Sequence, residues 1–200
     1  MCSWCWGFAP VAEALSRQAA ADGVAFHLVA GGLRAGHGAA LDPNTRGYIL
    51  GHWQPVQQTT GQPFRFDDAL PEGFVYDTEP ACRALVAARS LDEESAWPLV
   101  RASQRACYAE GREVTQAAVR AGRAEAVGLP RIEFAAAFAS GEARDATAAD
   151  FAWVQDLGIA GFPTLLAERN GQLALLTNGY QPLADLSPLL GRWLERGRHE

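Results

Sequence analysis

The chain contains no lysine. All 17 of its basic residues are arginines, which excludes lysine Schiff-base chemistry and a lysine-bearing phosphate loop. Positive charge is in deficit too. Acidic residues number 23, the net charge is −6 and the isoelectric point is near 5.2. No basic stripe is available to neutralise phosphates, so neither a nucleic-acid surface nor an anionic membrane is an expected partner. No run approaches the roughly 18 apolar residues of a membrane span. No signal peptide precedes the first motif, which makes the cytoplasm the expected compartment. Four cysteines are too few for a disulfide scaffold. In the cytoplasm a lasting structural disulfide is not expected, whereas a catalytic one is. What the chain does have is apolar bulk. Hydrophobic residues make up 48% of its 200 positions, enough for one sizeable core, or for one domain carrying an insertion.

Two of the four cysteines stand three residues apart in Cys2-Ser3-Trp4-Cys5, where a helix is expected to begin. A thiol attacks only as its thiolate, and the unpaired N–H groups and positive dipole end of a helix N-terminus stabilise that anion. Cys2 is then the more exposed nucleophile. Cys5, one turn on, faces inward and resolves a mixed disulfide. No His lies between the two, so a lowered Cys2 pKa is expected but not a strong oxidant. The same spacing also occurs in zinc sites and among incidental thiols. A zinc reading needs two further ligands, and Cys82, Cys107, His27, His37, His52 and His199 form no second close pair.

Trp4, Phe8, Val11, Ala12, Leu15 and Ala19 recur at three- and four-residue steps, which predicts a helix from Cys2 to about Ala21, bent at Pro10 and ended by Asp22-Gly23. Val24 to Ala30 reads as a strand covered on both faces, closed by Gly31-Gly32. Residues 34–146 are Ala- and Arg-rich and helical in rhythm. Helices are expected at roughly 43–58, 78–90, 92–109, 112–126 and 131–138, with no fixed repeat. Thr147 reads as the cap of a further helix, with Asp150 in a capping-box-like position and Gly158 just past its end. Asn170-Gly171 between apolar runs predicts a hairpin of residues 164–168 and 173–177. Pro182 opens a last helix that buries Leu183, Leu186, Leu189, Leu190, Trp193 and Leu194. Arg192, Arg196 and Arg198 lie toward its C-terminal end, where positive charge is favoured. With one strand placed before Cys2, this order becomes that of an α/β thioredoxin-like fold with an inserted all-helical subdomain. The fold would occupy residues 1–33 and 147–200, and the insertion 34–146.

Gly161-Phe162-Pro163-Thr164 is the second element of the candidate site. A cis bond before Pro163 would leave the backbone of Phe162 able to pair with an extended substrate, as in strand addition. The plainer reading is punctuation at the entry to a strand. Trp4 and Trp6 bracket Cys5 and could present an apolar rim to flexible polypeptide. Cys82 and Cys107 read as small buried hydrophobes, with a regulatory dithiol as the alternative. His27 reads as a packed or partnered strand residue. His52-Trp53 and Trp97 read as packing, with a peptide groove as the alternative.

These motifs resemble those of the DsbA-like thiol-disulfide oxidoreductases, in their FrnE-like branch. The resemblance runs through Met1 to Phe8, Gly31-Gly32-Leu33, Thr60 to Phe64, Asp77 to Ala81, Gln104 to Tyr108 and Gly161 to Thr164. It implies Cys2 as nucleophile, Cys5 as resolving cysteine and Pro163 as a cis-proline, with Trp4, Phe162, Pro163 and Thr164 meeting substrate. It also implies disulfide oxidation, reduction or isomerisation in protein or peptide substrates bearing cysteine. No bound cofactor is expected, only thiol exchange with glutathione or thioredoxin-type partners. Related glutathione-dependent isomerases of small molecules, such as hydroxychromene-carboxylate isomerases, share the fold but typically carry Ser at the position of Cys2. A redox-controlled chaperone and a non-catalytic peptide-binding module are further alternatives. Relatives carry a short strand before the Met of the motif. The native chain is therefore expected to extend about five to ten residues upstream of Met1, a strand's length.

Overall fold

The computed structural model describes residues 1–197, so Arg198 and His199 lie outside the described residues. The elements run α1 (Ser3–Ala21), α2 (Pro43–Thr60), α3 (Glu79–Leu91), α4 (Glu93–Tyr108), α5 (Ala117–Ala126), α6 (Arg131–Ala139), α7 (Gly141–Asp156), β1 (Thr164–Arg169), β2 (Gln172–Asn178) and α8 (Leu183–Gly197). The chain divides into two units. One comprises Cys2–His27 with Ile159–Glu200, and the other Leu28–Gly158 with Met1. Apart from the strand expected over Val24 to Ala30, this is the element order the sequence predicts for the chain from Cys2 onward. The divisions differ from the expected boundaries at 33 and 147, because α7 groups with the helices that precede it.

In the first unit α1 buries Phe8, Val11, Ala12, Leu15 and Ala19, together with Trp6, Gly7 and Ala9. It runs on through Pro10 and ends at Asp22, with Gly23 at φ 73°. β1 and β2 form an antiparallel hairpin in which Arg169 pairs with Gln172. Asn170 and Gly171, at φ 52° and 76°, supply the two positive dihedrals that a tight two-residue turn requires. α8 buries Leu186, Leu190 and Leu194, an i, i+4, i+8 stripe. Leu183 and Leu189 lie off that stripe and are exposed, contrary to expectation. Gln18 Nε2 donates to the Ser187 carbonyl at 3.0 Å and Ser187 Oγ to Gln18 Oε1 at 2.9 Å, which ties α1 to α8. Arg169 lies over the Trp193 ring and donates to the Trp193 carbonyl, tying the hairpin to the same helix.

The second unit is helical. α2 is capped by Asp42, whose carboxylate accepts from the N–H groups of Asn44 and Thr45, and it ends at Gly61 in the left-handed region. Trp53, Phe64 and Tyr108 form an aromatic triad with centroids 5.1 to 5.5 Å apart. A larger core joins Ala84, Ala87, Ala88, Leu99, Ala124, Leu129 and Phe134.

Three further expectations are corrected here. Val24 to Ala30 is not a strand. Its side chains still alternate in burial, but the sheet of the described residues contains β1 and β2 only. The helix expected over 112–126 begins at Ala117. The Glu113 side chain accepts from Thr115 and Gln116 and its carbonyl from the Gln116 N–H, a local turn that competes with helix. Thr147 caps nothing. Ser140 caps α7 by accepting from the Ala143 N–H at 3.0 Å, while Thr147 is buried inside the helix with its hydroxyl on the Ala143 carbonyl. Asp150, freed from a capping role, holds Arg89 at 3.0 Å and the Ala30 N–H at 2.8 Å.

Candidate active site

Cys2 is the N-cap of α1, with φ −147° and ψ 121°. Its carbonyl accepts the Trp6 N–H at 3.1 Å, which starts the helix. That extended dihedral pair leaves the side chain at the mouth of the first turn, where N–H groups have no helical partner. The thiol of Cys2 donates to the Phe162 carbonyl at 3.8 Å. All four cysteines are thiols, none joined in a disulfide. A hydrogen bond from the Cys5 thiol holds the Cys2 pKa down, from an ordinary 9.0 to about 7. The backbone N–H groups of Cys5 and Trp4 add to this, and burial opposes it. Ionisation thus exchanges a donor role toward Phe162 for an acceptor role toward Cys5. The thiolate is populated near neutral pH and sits one helical turn from a second thiol.

The loop before β1 meets Cys2 from the other side. The Phe162–Pro163 bond is cis, Pro163 is buried, and Phe162 and Thr164 are half-buried. The Thr164 hydroxyl donates to the Gly161 carbonyl at 2.8 Å, and the Pro163 carbonyl accepts the Gly179 N–H at 2.7 Å. Trp4, half-buried, is 5.8 Å from the ring of Tyr180. Cys2, Cys5, Trp4, Phe162, Pro163 and Thr164 therefore belong to one unit. Sequence reasoning missed Asn178, Gly179 and Tyr180, which touch this group. Their one signal is a second Asn-Gly pair directly after the hairpin, where a turn is expected.

The other candidates lie apart from this chemistry. Cys107 is buried and desolvation pushes its thiol up to about 11. Cys82 packs against Ala30, Leu85, Val86 and Ala96, and burial raises its pKa as well. Both have the surroundings of small hydrophobes. His27 is exposed. His52 is exposed beside Tyr48, while Trp53 is buried. Among the described residues no group of three or more His, Cys, Asp or Glu is placed to hold a metal. None of their helices is long and apolar enough to cross a membrane.

The chain is similar to several proteins of known structure. A candidate protein disulfide isomerase from Nitrosomonas europaea is 42% identical, with a TM-score of 0.90 over 98% of this chain and 94% of its own. The cytosolic disulfide reductase DsbM from Pseudomonas aeruginosa is 32% identical, with a TM-score of 0.81 over 98% and 95%. The same protein solved with GSH aligns at 29% identity and a TM-score of 0.79, over the same shares. No curated protein sequence matches. The DSBA-like thioredoxin domain matches residues 1–191. With that match spanning nearly the whole chain, the protein belongs to the DsbA-like thioredoxin-domain family of thiol-disulfide oxidoreductases, an α/β fold carrying a helical insertion.

Proposed function

We propose that the protein exchanges disulfides in protein or peptide substrates, with Cys2 as the nucleophile and Cys5 as the resolving thiol. The observation that carries this reading is the Cys2 thiol at the start of α1. It is held near neutral pKa by Cys5 and placed against the Phe162 carbonyl. The Cys2 thiolate attacks one sulfur of a substrate disulfide. That S–S bond breaks, a Cys2–substrate disulfide forms, and the departing substrate thiolate takes a proton from water. In reduction, Cys5 gives up its proton and attacks the Cys2 sulfur. The second substrate thiol leaves, and a Cys2–Cys5 disulfide remains, to be reopened by two equivalents of a small thiol such as glutathione. In isomerisation, the released substrate thiolate attacks another substrate disulfide, the thiolate freed there attacks the substrate sulfur of the Cys2–substrate disulfide, and Cys2 departs as the thiolate it began as.

We assign substrate contact to Trp4, Phe162, Pro163 and Thr164. The cytoplasm is the proposed compartment, supported by the cytosolic DsbM. A glutathione-dependent reaction on small molecules is the second reading, favoured by the DsbM structure solved with GSH. Refolding of scrambled ribonuclease separates the two. Wild type is expected to restore ribonuclease activity, Cys2→Ser to lose this ability, and Cys5→Ser to accumulate a substrate-linked mixed disulfide. Full activity in Cys2→Ser would refute the nucleophile assignment. Turnover of glutathione conjugates, with no action on ribonuclease, would establish the second reading.

A further inference from the structure

The tripeptide Asn178-Gly179-Tyr180, whose first residue ends β2, touches both halves of the candidate site. Gly179, at φ 100°, turns the chain so that its N–H meets the Pro163 carbonyl at 2.7 Å. An L side chain rarely adopts that dihedral. The preceding residue, Asn178, places Oδ1 3.2 Å from the Thr164 hydroxyl oxygen. Thr164 has a single hydroxyl proton, already given to the Gly161 carbonyl at 2.8 Å. The contact with Asn178 therefore needs a donor from the amide, and a half-turn of that amide puts Nδ2–H there. Gly161 leaves room for this, since a Cβ on it would come within 3.1 Å of the same amide. The following residue, Tyr180, lies 5.8 Å from the Trp4 ring and meets buried Phe8 edge-on at 6.3 Å. Trp4 belongs to the turn between the two cysteines, and Phe8 to the next turn of the same helix.

We propose that Asn178, Gly179 and Tyr180 act as a positioning clamp. Asn178 and Gly179 hold the Gly161–Thr164 loop, Tyr180 holds the turn from Cys2 to Cys5, and the tripeptide fixes the two against each other. This rests on the reading of Cys2 as the nucleophile. The three residues act through Trp4 and Thr164. Loosening the Tyr180 grip lets the first turn of α1 drift from the Cys2 sulfur, and the thiolate loses donors. Loosening the Asn178 grip lets the Phe162 carbonyl drift, and the thiol loses its acceptor, which favours the thiolate.

The test is the pH dependence of iodoacetamide alkylation at Cys2, located by mass spectrometry, and the redox equilibrium with glutathione. It uses wild type, Asn178→Ala, Tyr180→Leu and Tyr180→Phe. Tyr180→Leu is expected to raise the alkylation midpoint by about half a pH unit and Asn178→Ala to lower it by a similar amount, each roughly a threefold change in proton affinity. The glutathione equilibrium should move with it. Tyr180→Phe keeps the ring and is expected to keep the midpoint. Folded Asn178→Ala and Tyr180→Leu proteins with the wild-type midpoint and equilibrium would overturn the clamp. Should Tyr180→Leu fail to fold, the exposed Asn178 decides alone: an unmoved midpoint in Asn178→Ala overturns the proposal. Neither measurement uses a protein substrate, so an inactive wild type in ribonuclease refolding counts against the proposed function and leaves this result standing.

Discussion

Cys2 differs from Cys82 and Cys107 in what surrounds an otherwise identical thiol. Desolvation acts on all three. At Cys82 and Cys107 it dominates and keeps the proton on. At Cys2 the hydrogen bond from Cys5, two backbone N–H groups and the nearby positive charge of the N-terminus outweigh it. Alkylation of Cys2 is accordingly expected to rise through pH about 7, while Cys107 stays inert until the chain unfolds. Cys5→Ala removes the largest of these donors and should carry the midpoint upward; a profile identical to wild type would show that Cys5 has no part in it. The linkage has a definite sign. The folded pKa lies below the unfolded one, so the stabilisation is complete above about pH 9 and lost as pH falls through about 7. Reduced wild type, compared with Cys2→Ala by urea denaturation, should gain about 2 kcal/mol between pH 6 and 9.

Elements depend on single residues whose position the linear pattern only partly marks. In α8 the apolar pattern predicts a broad buried face that includes both Leu189 and Leu190, and the structure buries Leu190 while exposing Leu189. Leu190→Ala is expected to cost about 2–4 kcal/mol and Leu189→Ala under about 1 kcal/mol, both read by thermal or urea unfolding. Equal losses would contradict the observed face. Gly32 makes a sharper case. Its φ is +65°, and a Cβ there would lie 2.8 Å from the Phe151 ring. Gly32→Ala therefore combines backbone strain with overpacking and should lower stability by about 2–3 kcal/mol. The hairpin, by contrast, could be read directly, since Asn170-Gly171 encodes both positive dihedrals locally. The start of α7 could not. Ser140 and Thr147 are both competent caps, and what excludes Thr147 is its burial inside a helix that had already begun.

At the scale of the whole molecule, the helical unit is joined by a clasp between residues distant in sequence. Asp150 on α7 receives two hydrogen bonds from Arg89 on α3, at 3.0 and 3.2 Å, and one from the Ala30 N–H at 2.8 Å. Arg89 in turn donates to the Leu28 carbonyl at 2.6 Å. Asp150→Ala would leave the guanidinium half-buried without its counter-charge and is expected to cost about 2–3 kcal/mol. Loss of stability within measurement error would mean that water replaces the carboxylate freely. The sequence by itself determined the dithiol, the helix that presents it, the proline loop, the hairpin and the helical character of the insertion, because each is written in local spacing or turn chemistry. Tertiary structure alone decided which face of α8 is buried, that Asp150 serves Arg89 rather than a helix cap, and that residues 24–30 form no strand. It also brought Asn178, Gly179 and Tyr180 to the cysteines. The physical reason is common to all four: burial, ion pairing, strand pairing and ring contact depend on residues far away along the chain, and no local pattern encodes where those residues arrive.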